Sequence, residues 1–248
     1  MSKILDSYKT NSAIRSIISN AEKYIVLICP FAPNDDFVFK DYIQLRKSDD
    51  VFMYFFFRSS WDPYKDYEYK NDDLTRIFKH YGSLRNVLLF RIPSSCAEFH
   101  AKCYFNESDF LISSMNLSYH TRKFSSLECS VLFSLENDPD EFSQCIDWFY
   151  LFCKFTNMPS YLASGILNNS LRFGYCIMCG VNVTIDKRIP VNEDFPFCVE
   201  CAWRYYEDQS RRVYRTYRYC HCCGEPVGAI NKKAPICYNC LNNSISNL

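Results

Sequence analysis

The chain has 248 residues, enough for two domains of ordinary size. Its 28 Lys and Arg balance 28 Asp and Glu, which excludes a global field drawing it to nucleic acid or an acidic membrane, so any such attraction is local. With 48% hydrophobic and 17% aromatic residues against only 6 Gly and 10 Pro, disordered, low-complexity and collagen-like classes are excluded as well.

SYKTNSAIRSIISNAEKY places Ile14, Ile17, Ile18 and Ala21 at helical spacing, and IVLICP (25–30) reads as a short buried strand ended by Pro30. A second helix over 35–48 carries Phe37, Phe39, Tyr42, Ile43 and Leu45, and VFMYFFFR (51–58) is a strand apolar enough to be covered on both faces. After a polar, aromatic loop comes a helix over 73–81, then a strand over 87–93. Strands alternating with helices imply an α/β sheet with parallel neighbours. Strands over 101–106, 109–114 and 126–134 follow so closely that they are expected to be antiparallel or mixed, and a helix over 138–156 closes the domain. The expected organisation is a domain over 1–157, a linker over 158–172 and a cysteine-rich domain over 173–248. No run approaches the roughly 20 apolar residues of a spanning helix. The first 15 residues lack the layout of a signal peptide, and the expectation is a cytoplasmic protein without membrane association.

Of 15 cysteines, nine fall after residue 173, where YCIMCGVNVTIDKRIP is echoed by YCHCCGEPVGAINKKAP. The duplicated unit supplies four Cys-x-x-Cys pairs: Cys176/Cys179, Cys198/Cys201, Cys220/Cys223 and Cys237/Cys240. Spacings of 18 and 13 residues within the halves match four-cysteine structural zinc sites, implying two structural zinc ions in a tandem zinc-ribbon or treble-clef-like domain. A cross-braced pairing would use the same eight thiolates. Either way no position is left open for catalytic water. His221 and Cys222 are left out of the ligand set as possible substitutes, and the six cysteines before residue 173 read as small buried hydrophobes. Between the two halves, Arg204, Arg211, Arg212, Arg215 and Arg218 alternate with tyrosines. Basic groups contact phosphates and aromatic faces stack bases, so this is the local nucleic-acid footprint; a solvated helix between two metal units is the competing account.

The stretch FHAKCYFNESDFLISSMNLS (99–118) puts His100 and Lys102 on one side of a strand and Ser114 and Asn116 at the end of the next. An imidazole that can attack phosphorus, an ammonium and an amide that can hold oxygens, and a hydroxyl suit phosphoryl transfer.

These residues resemble the signature of the phospholipase D superfamily, His-x-Lys, an acidic residue five positions on, then Gly-Ser-x-Asn: here His100, Lys102, Glu107 and Ser113-Ser114-x-Asn116. Ser113 stands for Gly and Glu107 for Asp, with one residue fewer before the Ser-x-Asn, a difference that a tighter hairpin absorbs. The resemblance covers roughly residues 8–155 and is greatest to the single-motif, nuclease-like branch. It implies a mixed sheet flanked by helices and a phosphohistidine intermediate on His100, with Lys102 and Asn116 binding phosphate, Ser114 supporting it and Glu128 orienting the histidine. No metal is then needed for catalysis. The family reaction needs two histidines and the chain carries one motif, so the resemblance also implies a homodimer with the site on its two-fold axis. The expected function is a phosphodiesterase cleaving DNA or RNA, with zinc units aiding substrate binding. A non-catalytic nucleic-acid or protein-binding zinc protein and a phospholipase are the alternatives, the last lacking any basic amphipathic membrane helix to support it.

Overall fold

The computed structural model describes residues 3–30, 36–46, 50–59, 84, 86–93, 99–117, 127–156, 158, 161–180, 182–185, 197, 201, 204–205, 210–211, 217–222, 224–230 and 235–240. The chain divides into two compact units, one of residues 1–77 and 86–169 and one of 78–85 and 170–248.

The first unit is a seven-stranded mixed sheet flanked by helices, the α/β class expected from the sequence. Its strands are β1 (Lys3–Leu5), β2 (Tyr24–Cys29), β3 (Phe52–Ser59), β4 (Val87–Pro93), β5 (Lys102–Phe105), β6 (Asp109–Ser113) and β7 (Ser130–Ser134), and its helices are α1 (Ser7–Asn20), α2 (Asp36–Gln44), α3 (Pro139–Phe155) and α4 (Leu162–Leu167). The order across the sheet is β1-β7-β6-β5-β2-β3-β4. β2, β3 and β4 run parallel and the remaining pairs are antiparallel, which matches the change from helix-separated strands to closely spaced ones. β2 lies between β5 and β3, and all six of its residues are buried, as a run covered on both faces requires.

Asp6 caps α1 by accepting the N–H of Lys9 at 2.9 Å, and Pro139 with Asp140 and Glu141 opens α3 where negative charge suits the helix dipole. The two helices take opposite faces. Thr10 of α1 donates to Ser130 at 2.8 Å on one face. On the other, Phe149 of α3 meets Phe105 and Phe56 edge-on at 5.1 and 6.0 Å, and Phe142 meets Phe110 at 6.5 Å.

The turn between β5 and β6 is tight. Asn106 N–H donates to Asp109 O at 3.0 Å, and Asn106 Oδ1 accepts the N–H groups of Ser108 and Asp109, each at 2.8 Å. Glu107, at its tip, accepts the N–H groups of Glu22, Lys23 and Tyr24 at 2.6, 3.3 and 3.5 Å and so pins the connection from α1 into β2.

Two elements differ from expectation. β1 is an unforeseen edge strand on β7, and α4 lies in the segment expected as a linker, with Leu162, Ala163, Gly165 and Ile166 buried. The helix expected over 73–81 lies outside the described residues. Among the described residues no helix is long and apolar enough to cross a membrane.

The second unit contains two antiparallel ribbons, β8 (Arg172–Tyr175) with β9 (Asn182–Ile185) and β10 (Tyr217–Tyr219) with β11 (Pro226–Ile230). Their shared core is Cys176, Ile177, Phe197, Cys201, Tyr217, Cys220 and Ile230.

Phe149 is fully buried at the centre of the α3 face. Phe149→Ala is expected to lower the unfolding free energy by about 3 to 5 kcal/mol, measured by denaturant titration.

Candidate active site

Strand register assembles the site. Lys102 at the start of β5 pairs with Ser113 at the end of β6, and Ser113 pairs with Ser130 at the start of β7. Cys29, which ends β2, lies one residue past Ile28, the partner of Cys103. Four neighbouring strands therefore bring Cys29, Lys102, Ser113 and Ser130 to one end of the sheet, and His100, Ser114, Asn116 and Glu128 stand within three residues of that row.

His100 is exposed and Lys102 is only 5% exposed. The Lys102 ammonium donates to His100 Nδ1 at 2.9 Å and to the His100 carbonyl at 3.0 Å. An ammonium has no acceptor, so Nδ1 accepts and a neutral ring carries its proton on Nε2. The pairing also compensates the burial of a cation, which would otherwise be costly.

Ser114 donates its hydroxyl proton to Glu128 Oε2 and accepts the N–H of Cys129 at 3.0 Å. Glu128 is itself anchored, its N–H donating to the Ser7 hydroxyl of α1 at 2.9 Å. Asn116 Oδ1 lies 3.5 Å from Cys29 Sγ, which also accepts the N–H of Leu117 at 3.4 Å. Between these, Met115 is clamped: its carbonyl accepts the Tyr104 hydroxyl at 2.6 Å, and its N–H donates to Ser113 Oγ at 2.9 Å. Burial holds the Tyr104 phenol well above the usual tyrosine range, so it remains a donor. Ser113 Oγ meets Ser130 Oγ at 2.8 Å, continuing the chain of hydroxyls to Thr10.

The five residues expected from the sequence thus fall into two bonded pairs, His100 with Lys102 and Ser114 with Glu128, plus Asn116 on Cys29. Sequence reasoning passed over Cys29, Tyr104, Ser130 and Thr10. The available signal was positional, since Cys29 is the last apolar residue before Pro30, and it acquires meaning only once β2 is known to lie beside β5.

In the second unit, Cys176, Cys179 and Cys201 form one cluster and Cys220, Cys237 and Cys240 another, with the sulfurs of each within 4.8 Å of one another. The ligands group within each half of the repeat. Each cluster could hold a metal ion, and soft all-thiolate sets of this kind suit tetrahedral zinc. Turns around the sulfurs fit that use. Gly180 and Gly224 N–H groups donate back to Cys176 and Cys220 carbonyls at 2.8 and 2.9 Å, and the Cys237 N–H points at Cys220 Sγ, 3.2 Å away. Cys198 and Cys223, expected as fourth ligands, lie outside the described residues. His221 is buried and donates from Nδ1 to the Tyr175 carbonyl at 2.6 Å; burial lowers its pKa. Arg204, Arg211 and Arg218 are exposed, while Arg212 and Arg215 lie outside the described residues.

The two halves interlock reciprocally. A Cβ at Gly180 would lie 2.9 Å from the Tyr219 ring, and one at Gly224 would lie 2.6 Å from the Tyr175 ring, both at positive φ. Gly224→Ala is expected to cost more than the roughly 1 to 2 kcal/mol of the left-handed backbone alone, because the ring must also move. The melting midpoint of the variant falls.

No protein-family model matches the chain and no curated protein matches it. Solved structures do. The chain is similar to Nuc, a phospholipase D family member from Salmonella typhimurium, at 13% identity and a TM-score of 0.42 over 59% of this chain and 90% of that one. NucT from Helicobacter pylori gives 10% identity and a TM-score of 0.38 over 53% and 84%. Phosphatidylserine synthase from Haemophilus influenzae gives 12% and 0.45 over 68% and 42%.

Proposed function

We propose that the protein is a phosphodiesterase that cleaves nucleic acid through a phosphohistidine intermediate on His100. The observation that carries this reading is the 2.9 Å contact between the Lys102 ammonium and His100 Nδ1 at the sheet end that also bears Ser114, Asn116 and Glu128. The contact sets an ammonium on the Nδ1 side of the ring, a side-chain rotation away from a phosphate attacked by Nε2, whose non-bridging oxygen it can then bind. Arrival of the phosphodiester draws the ammonium onto a non-bridging oxygen. Nδ1 then takes the ring proton, with Glu128 as its acceptor, and Nε2 is left with the lone pair that forms the N–P bond as the P–O bond breaks. Asn116 holds a second oxygen through its NH2 group, and Ser114 keeps Glu128 in place.

The leaving oxygen needs a proton, and a second histidine supplies it: His100 of the partner subunit in a homodimer, which then deprotonates the water that splits the N–P bond. No metal takes part in these steps. Zinc ions in the two cysteine clusters hold the second unit, Cys198 and Cys223 completing their ligand sets, and Arg204, Arg211, Arg212, Arg215 and Arg218 give that unit local positive charge for the backbone of DNA or RNA. In this reading residues 1–157 are the catalytic domain and 173–248 the substrate-holding domain of a cytoplasmic enzyme.

Labelled single- and double-stranded DNA and RNA are incubated with the protein in excess EDTA, with circular dichroism confirming that the fold survives. Cleavage is expected to persist in the chelator and to fall by about a thousandfold or more in His100→Ala, the scale of losing a nucleophile. Cleavage that requires added divalent metal and survives His100→Ala rejects the assignment. Binding without cleavage under every condition favours a non-catalytic nucleic-acid-binding role.

A further inference from the structure

We infer that Tyr8, in the first turn of α1, is a substrate-binding residue whose ring stacks on an unpaired base beside the scissile phosphate, which makes single-stranded nucleic acid the preferred substrate. The inference rests on the phosphodiesterase reading above and deepens it.

α1 runs across the sheet from the site end. Leu5, just before its cap, pairs with Ser130 in the row of strand residues that bears Ser113 and Lys102. In the first turn the Ser7 hydroxyl accepts the Glu128 N–H at 2.9 Å, and the Glu128 carboxylate accepts the Ser114 hydroxyl. Near the other end the Ile17 carbonyl accepts an Asn106 Nδ2–H at 2.9 Å, beside the β5–β6 turn. The first turn of α1 therefore walls the site, and the rest of the helix runs away from it.

Helical rotation places Tyr8 within that turn. Successive residues turn by about 100°, so Tyr8 and Asn11 share one flank of the sheet-facing stripe of Ser7, Ile14 and Ile18, while Thr10 lies on the other. The partners identify the flanks. Thr10 donates to Ser130 of β7, whereas Asn11 Oδ1 accepts the Tyr42 hydroxyl of α2 at 3.4 Å, and α2 connects β2 to β3. Tyr8 thus lies on the flank turned from β7 toward β5 and β2, the strands that carry Lys102 and Cys29 at the site end. It is 68% exposed there, a large aromatic residue open to a ligand and next in sequence to the serine that anchors Glu128.

A nucleotide whose phosphate is held by Lys102 and Asn116 must set its base against the rim of this site. A base gains from an aromatic face whatever its identity, because every base has a π-face to offer. In a duplex those faces are covered by neighbouring base pairs, whereas a single strand can turn a base out onto a side chain. Tyr8 suits the single strand.

The test uses the full-length protein and three labelled DNA substrates of equal length: a single strand, its duplex, and a single strand built throughout of abasic tetrahydrofuran nucleotides. The wild type is expected to cleave the base-bearing single strand fastest. Tyr8→Ala lowers kcat/KM on that strand by about tenfold or more, the scale of one base–aromatic stack, and leaves the abasic strand unchanged. Tyr8→Phe keeps the ring and most of the rate. Tyr150→Ala removes an exposed tyrosine of α3, on the other face of the sheet, and changes neither rate. Melting temperatures stay near that of the wild type, since both tyrosines are exposed. An unchanged rate in Tyr8→Ala, or a wild-type preference for the duplex, overturns the role of Tyr8 while leaving the function standing. Equal losses on the base-bearing and abasic strands identify support of the site rather than a base contact and overturn it too, as does a Tyr8→Phe variant as slow as Tyr8→Ala. A folded wild-type protein that cleaves none of the three substrates, nor the RNA single strand of the same sequence, overturns the nuclease reading and the role of Tyr8 with it.

Discussion

Lys102 faces Ser113 because the turn from Asn106 to Asp109 fixes the register of the hairpin that joins β5 to β6. Strand side chains alternate between faces, so a slip of one residue would carry Lys102 and Tyr104 to the side packed by α3 and bring Cys103 and Phe105 to the side of α1. Glu107 ties the same turn to the start of β2 by accepting backbone N–H groups there. One short turn therefore sets two relationships: β5 against β6, which aligns Lys102 with Ser113, and the α1 connection against β5, which seats β2 and brings Cys29 to the same end. Polar contacts remote from the candidate chemistry thus control its geometry, and their distance along the sheet insulates them from substrate.

The polar groups at the site end are mutually compensated within the protein. Lys102 is nearly inaccessible to water and is held by two acceptors of His100, one side-chain and one backbone. Ser113 occupies a position where the resembling signature has glycine, and a hydroxyl placed there requires partners because it is partly buried. The Met115 N–H and Ser130 provide them, and Thr10 continues the chain into α1. Replacing Gly by Ser thus exchanges backbone freedom for a side-chain clamp on the peptide that precedes Asn116. The departure from the signature strengthens the loop it alters.

Much of the first unit was legible because its signals are local. The apolar run 25–30 and the helical spacing of Ile14, Ile17 and Ile18 depend on neighbours a few residues away, and β2 and α1 stand there. β1 was not legible: three residues cannot establish alternation, and Ile4 acquires a strand partner, Val131, from more than a hundred positions downstream. α4 has only six residues, too few for a helical period to show, and is specified by burial of Leu162 and Ile166. The His-x-Lys and Ser-x-Asn residues stood out by type and spacing. Cys29 did not, because its use depends on sheet order, and a single cysteine at a strand end reads as an ordinary small core residue.

The repeat in the second unit displays the opposite economy. Among the described residues its shared core includes three cysteines and four other buried side chains, a small apolar core for two ribbons. Metal held by the cysteine clusters would add stability to such a core, and the duplication adds to it as well. Tyr175, just before Cys176, covers Gly224 of the second half, and Tyr219, just before Cys220, covers Gly180 of the first. The backbone repeats the exchange, with Tyr175 N–H donating to His221 O and Tyr219 N–H to Ile177 O, at 2.8 and 3.1 Å. Each half thus completes the turn that shapes the other's cysteine pair. Ile177 and His221 occupy equivalent places in the two turns, and the polar member keeps its buried position by donating Nδ1–H to the Tyr175 carbonyl. The two clusters are therefore coupled through side-chain packing and main-chain hydrogen bonds, so that the integrity of one bears on the shape of the other.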